Sequence, residues 1–292
     1  MSQQTPLPFN ALTGTDVRVR IVDVGASPEG NEPQYLQMLR SGNADILGFE
    51  PDPEALAALE SRKGPYETYL PHAVGDGRRH TLHLCAMPEM SSLLRPNPPF
   101  LNLFHGFPQW GEVVGTREVD TVRLDDIPAA AGADMLKLDI QGAELMALRN
   151  AVGCLRDAVI VQAEVEFLPL YVDQPLFSDV ELFLREQGFV FHRFFPQVSR
   201  TFQPVIVNNN VYSGLGQLVW ADAVFVKDFT RLDRLSDRQL LALSSILHDC
   251  YRSLDLVYLL LRELDRRQGR TAADAYLAAV QSAPLPQFNT RQ

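Results

Sequence analysis

Through the first two thirds of the chain, short apolar runs alternate with stretches whose apolar positions recur at helical spacing. Parallel strands joined by crossover helices produce this pattern. Val17–Val24 (VRVRIVDV) predicts a first strand, Asp45–Glu50 (DILGFE) a second and Tyr66–Leu70 a third. Between the first two, Pro33–Arg40 predicts a helix closed by Ser41-Gly42-Asn43, with the glycine at the left-handed cap position. Asp52 before Pro53 and Glu54 predicts an N-cap, a proline at the first helical position and an acidic first turn, for a helix reaching about Arg62. Asp134–Asp139 and Val159–Glu164 read as further strands, separated by a helix over Ala143–Ala151. Thr81–Cys85 and Val113–Leu124 alternate as additional or edge strands do. They flank a stretch with Pro96, Pro98, Pro99 and Pro108 that must be irregular or form a short helix. Phe189–Phe195 and Gln217–Val226 read as a strand pair joined by the 21 residues Pro196–Gly216, a length usual for a lid or binding loop or else for a mobile segment.

After Asp228 the pattern turns helical. Asp237–Leu264 and Thr271–Gln281 carry apolar positions such as Leu240, Leu243, Ile246, Leu247 and Leu254 at helical spacing. The expected organisation is an N-terminal arm (1–16), an α/β domain (17–229) and a helical C-terminal extension (230–292). The apolar face of that extension packs on the domain or on a second copy, so a homodimer through these helices is one expectation. The 26 Lys and Arg against 36 Asp and Glu give a formal charge of −10, which argues against general nucleic-acid or anionic-membrane binding. Cys85, Cys154 and Cys250 are far apart and form no CxxC, so neither a zinc site nor a disulfide framework is expected. The first sixteen residues lack a basic segment followed by an apolar run, and no window approaches the ~18 apolar residues needed to cross a bilayer. A cytoplasmic protein is the expectation.

Candidate chemistry gathers at strand ends. Asp23-Val24-Gly25-Ala26-Ser27, with Gly30 beyond, closes the first strand with an acid and a glycine. Phe49-Glu50-Pro51-Asp52 closes the second with another acid, 25 residues after Gly25. In a doubly wound sheet such positions place a nucleoside-bearing ligand over the strand ends, the glycine permitting close approach and the second carboxylate accepting ribose hydroxyls. A dinucleotide site prefers G-x-G-x-x-G opening onto a pyrophosphate. Here the residues are Gly-Ala-Ser-Pro-Glu-Gly, with Glu29 where phosphate charge would lie. A cofactor with a cationic centre, an amino group and no phosphate fits better, namely S-adenosylmethionine. The plainer alternative keeps Gly25 and Gly30 as turn glycines and Glu50 as a solvated strand end.

Further segments follow in order: Gly48-Phe49-Glu50-Pro51-Asp52, Ala73-Val74-Gly75-Asp76, Ser91-Ser92-Leu93, Leu136-Lys137-Leu138-Asp139-Ile140-Gln141-Gly142-Ala143-Glu144, and Glu164-Val165-Glu166-Phe167-Leu168-Pro169-Leu170-Tyr171. The series resembles the FkbM family of S-adenosylmethionine-dependent methyltransferases, from about Val19 to about Lys227. The resemblance implies a class I methyltransferase (Rossmann-like) fold, a mostly parallel sheet with an antiparallel last strand, and O-methylation of hydroxyls, often on sugars or natural products. It also implies that the first-strand loop (Asp23, Gly25, Ala26, Ser27, Gly30) holds the methionine portion and that Glu50 holds the ribose, with Pro51 and Asp52 beside it. His72, Ala73, Val74 and Asp76 would then surround the adenine. Two departures stand out. The later glycine falls one residue further on than in the family's D-x-G-A-N-x-G, and K-x-D-x-E-G-x-E reads Lys137, Asp139, Gln141, Gly142, Glu144, an amide replacing a carboxylate.

Methyl transfer from a sulfonium needs an acceptor aligned in line and a group to take its proton. Lys137 and Asp139 share one strand face, which Gln141 extends. Asp139 is a candidate for the acceptor proton or the cofactor's amino group. Lys137 either orients an acceptor hydroxyl or pairs with Asp139 or Glu144. Glu164 and Glu166 also share a face, as a proton acceptor and sugar-hydroxyl ligand or as a solvated strand exit. A metal held by Asp139, Glu164 and Glu166 is conceivable, but the resemblance does not call for one. Ser91, Ser92, His105, Gln141, Tyr171 and His192 are further candidates for a small-molecule or glycan acceptor. Trp110, Trp220, Phe104 and Phe107 offer either a stacking face for a sugar ring or core. A different acceptor class (carboxylate, amine or peptide) and an inactive nucleoside-binding scaffold remain the competing readings.

Overall fold

The computed structural model of the chain describes residues 7–28 and 32–281. Among the described residues ten strands form: β1 (Val19–Val24), β2 (Ala44–Phe49), β3 (Glu67–Leu70), β4 (Ala73–Val74), β5 (Arg79–Cys85), β6 (Val113–Val122), β7 (Met135–Leu138), β8 (Ile160–Glu166), β9 (Phe189–Ser199) and β10 (Leu218–Lys227). Seven build one sheet in the order β3-β2-β1-β7-β8-β10-β9, and β4, β6 and β5 build a second. β1, β7 and β8 run parallel, while β10 is antiparallel to both β8 and β9. The chain moves outward from β1 to β3 and then returns to the other side of β1 at β7. The carboxyl ends of β1 and β7 therefore flank the point where strand order reverses, where doubly wound sheets open a crevice.

Strict alternation gives the sheet two unlike faces. Val22, Val24, Leu136, Leu138, Val161, Ala163, Ala223 and Phe225 form one buried apolar face. It packs on Leu145 and Leu148 of the helix Glu144–Arg149 and on Val180 and Leu184 of the helix Phe177–Glu186. Register keeps these residues together, with Val22 opposite Leu136, Leu138 opposite Ala163 and Ala163 opposite Ala223. Their neighbours in sequence must take the other face. There Asp23 stands opposite Lys137, Lys137 opposite Gln162, Asp222 opposite Glu164 and Trp220 opposite Glu166. A polar row thus crosses four strands because the apolar partners claim the opposite side.

Contacts divide the chain into two compact units, one of Ile21–Glu29 with Leu47–Lys227, the other of Met1–Arg20, Gly30–Ile46 and Asp228–Gln292. One division falls between Lys227 and Asp228, and the unit that holds the helical tail also takes in residues 7–20 and 32–46. Within it, the long helix expected over Asp237–Leu264 is broken. Helix Asp237–Ile246 passes into a π-turn, Leu247–Tyr251, and restarts as Leu254–Gln268 after Arg252 at φ +54°. Asp249 Oδ1 accepts the Phe9 N–H at 3.0 Å, and His248 lies 2.8 Å from the Tyr276 hydroxyl and 3.1 Å from the Leu7 carbonyl. Those tertiary bonds hold the two side chains where an unbroken helix would not aim them. No helix of the described residues is long and apolar enough to cross a membrane. The three cysteines are free and buried.

Candidate active site

At the end of β1 the chain must leave the sheet beside β7. The Gly25 and Ala26 N–H groups both donate to the Phe49 carbonyl, at 3.1 and 3.0 Å, and the Asp139 N–H donates to the Val24 carbonyl at 3.0 Å. Gly25 has φ +83°, and a Cβ there would sit 2.0 Å from the Asp139 carbonyl oxygen. The close approach that requires this glycine is therefore made by the chain itself. Gly48 is constrained in the same way, because the ring of Tyr69 lies where its Cβ would be.

Asp23, only 3% exposed, accepts from Lys137 Nζ at 3.0 Å. Lys137 thus pairs across β1 and β7 with Asp23, a partner other than the Asp139 or Glu144 considered from sequence. Burial disfavours the ammonium, but Asp23, with Asp139 behind it, outweighs that and raises the Lys137 pKa well above an ordinary lysine's. A lysine held charged in this way is no proton acceptor.

Past the end of β7, Gln141 adopts φ +56° and becomes a junction. Its amide nitrogen donates to Asp139 Oδ1 at 2.9 Å and to Glu164 Oε2 at 2.6 Å. Its side-chain carbonyl accepts the Tyr171 hydroxyl at 3.2 Å, and its backbone carbonyl accepts Ser92 Oγ at 2.6 Å. Five of the sequence candidates, Asp139, Gln141, Glu164, Tyr171 and Ser92, therefore meet in one network. Tyr171 and Ser92 are nearly inaccessible, at 1% and 2% exposed, and support Gln141 from below. Ser91 Oγ accepts the Cys85 N–H at 3.1 Å.

The carboxylates are crowded, and among the described residues Lys137 is the cation set against them. Burial, then the Asp139 and Glu166 charges, pushes the Glu164 pKa well above the usual range. Burial and then Glu144 do the same to Glu166. Burial raises Glu144 to about 8 although its Oε1 accepts the Ile140 N–H at 2.7 Å. Asp222, on β10, is pushed up to about 6 by burial and by Asp139, with Lys137 opposing. It accepts from Gln162 at 2.7 Å. Asp222 and Gln162 were missed from sequence. The signal was present in QLVWADAVFV, where Trp220 and Asp222 alternate with Ala221, Ala223 and Phe225.

At the end of β2, Glu50 Oε1 accepts the Asp52 N–H at 2.7 Å. Burial raises the Glu50 pKa to about 7, against the Asp52 N–H that favours its charge. Asp52 is the expected N-cap, its Oδ1 accepting from Glu54 and Ala55 at 3.0 and 3.1 Å. Ala26 is buried and Ser27 exposed, with Pro51 half-buried between Glu50 and Asp52. Gly30 lies outside the described residues. His72 and Ala73 are half-buried and Val74 buried, two to four residues beyond Leu70, whose carbonyl accepts the Glu50 N–H at 3.1 Å. Asp76 is engaged by His80 Nε2 at 2.7 Å and by the Arg78 N–H at 3.0 Å. His105 and His192 stand apart from the network. His105 Nε2 lies 3.0 Å from the Val205 carbonyl, and His192 is on edge strand β9, two strands from β8.

The sequence that builds this sheet, with acids closing β1, β2 and β7, matches a known domain. The family model described as the Methyltransferase FkbM domain matches residues 23–191, more than half of the chain. The chain belongs to the FkbM methyltransferase family. This FkbM chain is 25% identical over 183 residues to the 2-O-methyltransferase NoeI of Sinorhizobium fredii, covering 56% of this chain and 70% of that protein. Among solved structures it is similar to a mutant of the 16S rRNA (adenine(1408)-N(1))-methyltransferase with cosubstrate SAM from Catenulisporales acidiphilia. The TM-score is 0.35 at 13% identity, over 75% of this chain and 89% of that one. A candidate methyltransferase from Thermoplasma acidophilum aligns with TM-score 0.39 at 10% identity, over 73% and 69%. The class I architecture of this FkbM domain rests on its own strand order and on the antiparallel β10.

Proposed function

We propose that the chain transfers the methyl group of S-adenosylmethionine to a hydroxyl of a saccharide or saccharide-bearing metabolite. The observation that carries this reading is the Asp139–Gln141–Glu164 network at the carboxyl end of the sheet, together with a Glu50 whose Oε1 alone is engaged among the described residues. Family membership supports methyl transfer, and the NoeI relative, a 2-O-methyltransferase, supports oxygen as the acceptor atom. The donor set suits the cofactor. Acids without a phosphate cradle favour a cationic ligand, and Glu50 keeps Oε2 for ribose hydroxyls.

In this reading Glu50 orients the nucleoside, and the β1–β2 turn around Gly25 and Ala26 bounds the methionine portion. The bound cofactor supplies an activated sulfonium methyl. The protein's task is then to align the acceptor oxygen and take its proton. Glu164, whose pKa burial raises well above the usual carboxylate range, takes that proton, and Asp139, tied to it through the Gln141 amide, holds the acceptor beside it. Lys137 pairs with Asp23 at 3.0 Å and lends positive charge to Asp139.

Calorimetric titration with S-adenosylmethionine and with NADH tests the cofactor, and labelled-methyl transfer to fractionated glycans tests the reaction. Binding of the first compound alone and label on a saccharide oxygen are expected. Binding of NADH alone would overturn the assignment.

A further inference from the structure

Beyond Glu166 the polar row runs into aromatic rings and a guanidinium. Trp220, opposite Glu166 on the same sheet face, has Arg200 over its ring at 4.6 Å. Tyr212 flanks Arg200 at 6.0 Å and stacks on Trp110, with ring centroids 5.7 Å apart and planes 4° from parallel. Tyr212 is 58% exposed, so this wall opens to solvent. Packing fixes the assembly from below, where Phe107 touches both Trp110 and Trp220 and Phe104 stacks on Phe202.

Arg200 is paired unlike the other clamped arginines of this acidic chain. Arg79, Arg123, Arg185 and Arg267 each grip a carboxylate. Among the described residues Arg200 meets none. Its Nη1 donates only to the carbonyls of Ser199 and Tyr212, at 3.0 and 3.1 Å, and its buried Nε has no acceptor. Two carbonyls and two rings hold the group in place but leave its charge unneutralised. A guanidinium so fixed recognises carboxylate and phosphate oxygens well, having little entropy left to lose.

We propose that Arg200, with Trp220 and Tyr212, is an acceptor subsite for a sugar ring that carries an anionic substituent, a carboxylate or a phosphate. The rings take the apolar face of the sugar, Arg200 takes the anion, and the hydroxyl to be methylated lies toward Glu166 and Glu164. This rests on the proposed methyltransferase reading and narrows its substrate class to acidic saccharides.

Trp110 and Trp220 are the only two tryptophans in the chain, so selectively excited tryptophan fluorescence reports on this place alone. Protein saturated with S-adenosylhomocysteine is titrated with methyl β-glucuronoside, glucose 1-phosphate and methyl β-glucoside. A saturable change with at least one acidic probe, about tenfold tighter than with the neutral glucoside, is expected, as a charge-assisted contact provides. The two acidic arms separate carboxylate from phosphate. Arg200→Gln should erase the preference without altering the weak response to the neutral glucoside, and Arg200→Lys should retain part of it. Equal responses to acidic and neutral probes, or none to either acid, would overturn the subsite. So would an Arg200→Gln protein that loses neutral and acidic binding alike, since that marks a structural clamp. Calorimetry with S-adenosylmethionine separates the two levels. A chain that binds the cofactor but no acidic sugar refutes this inference alone, and one that does not bind it refutes the methyltransferase reading.

Discussion

Lowering the pH from 8 to 6 should weaken cofactor binding chiefly through Glu50. Burial raises this carboxyl to about 7, so it is about 90% ionised at pH 8 and about 10% at pH 6. If the carboxylate accepts both ribose hydroxyls, only the ionised form binds well, and affinity should fall about tenfold across that interval, with a proton released per ligand bound near pH 6. Glu50→Gln should bind more weakly at pH 8 and lose this slope. Titration calorimetry in two buffers of different ionisation enthalpy measures both quantities. The ligand's amino group and Asp222 titrate nearby, but they do so in both proteins and cancel in the difference. The fold should feel the same group. The folded pKa lies above the ordinary value of 4.5, so the folded chain keeps a proton that the unfolded chain has lost. Glu50's contribution is therefore full below about 4.5 and is lost as pH rises through about 7. Glu50→Gln should consequently unfold at higher temperature than wild type at pH 8 and at nearly the same temperature at pH 4. Equal cofactor affinity at both pH values, or an unchanged slope in Glu50→Gln, would show that Glu50 does not hold the ribose.

Gly25→Ala should cost at least about 2 kcal/mol, because the new Cβ meets the Asp139 carbonyl and φ is +83°. A thermal melt should fall by several degrees, and no loss would mean the β1 and β7 turns are looser than described. Lys137→Met should cost about 3–5 kcal/mol by removing the ammonium that pairs with the buried Asp23 carboxylate at 3.0 Å. Adding Asp23→Asn should recover much of this in urea unfolding, and additive losses would argue against a direct pair. Asp125→Ala should cost about 1 kcal/mol, since Asp125 caps the helix Val152–Asp157 by accepting from Gly153 and Cys154 at 2.9 and 3.0 Å. Denaturant midpoints would show it, and an unchanged midpoint would mean water serves the cap equally well.

How far these features were legible in the sequence depended on the range of the forces involved. Strands β1, β2, β7, β8 and β10 announce themselves because alternation is local, and Asp52 is a cap because its partners lie two and three residues away. The gathering of Asp139, Gln141 and Glu164 was readable as strand-end positions. Their joining through Gln141 was not, because a positive φ at a glutamine is imposed by Ser92 and Tyr171 from distant segments. Asp222 escaped notice for a related reason. Its role depends on β10 pairing antiparallel with β8, which puts it beside Glu164. The break at Leu247–Tyr251 was hidden because the apolar period runs on through it while His248 and Asp249 answer to residues some 240 positions away. Gly25 was recognised as special, but the occupant of its missing side chain, the Asp139 carbonyl, only the folded chain reveals.

Diffraction from crystals grown with S-adenosylhomocysteine tests most directly whether the carboxyl ends of β1 and β2 form a nucleoside site. Density for the ligand over Gly25 and Ala26, with both ribose hydroxyls in hydrogen-bond reach of Glu50, is expected. Well-ordered crystals with that crevice empty, or with the nucleoside bound elsewhere, would contradict it.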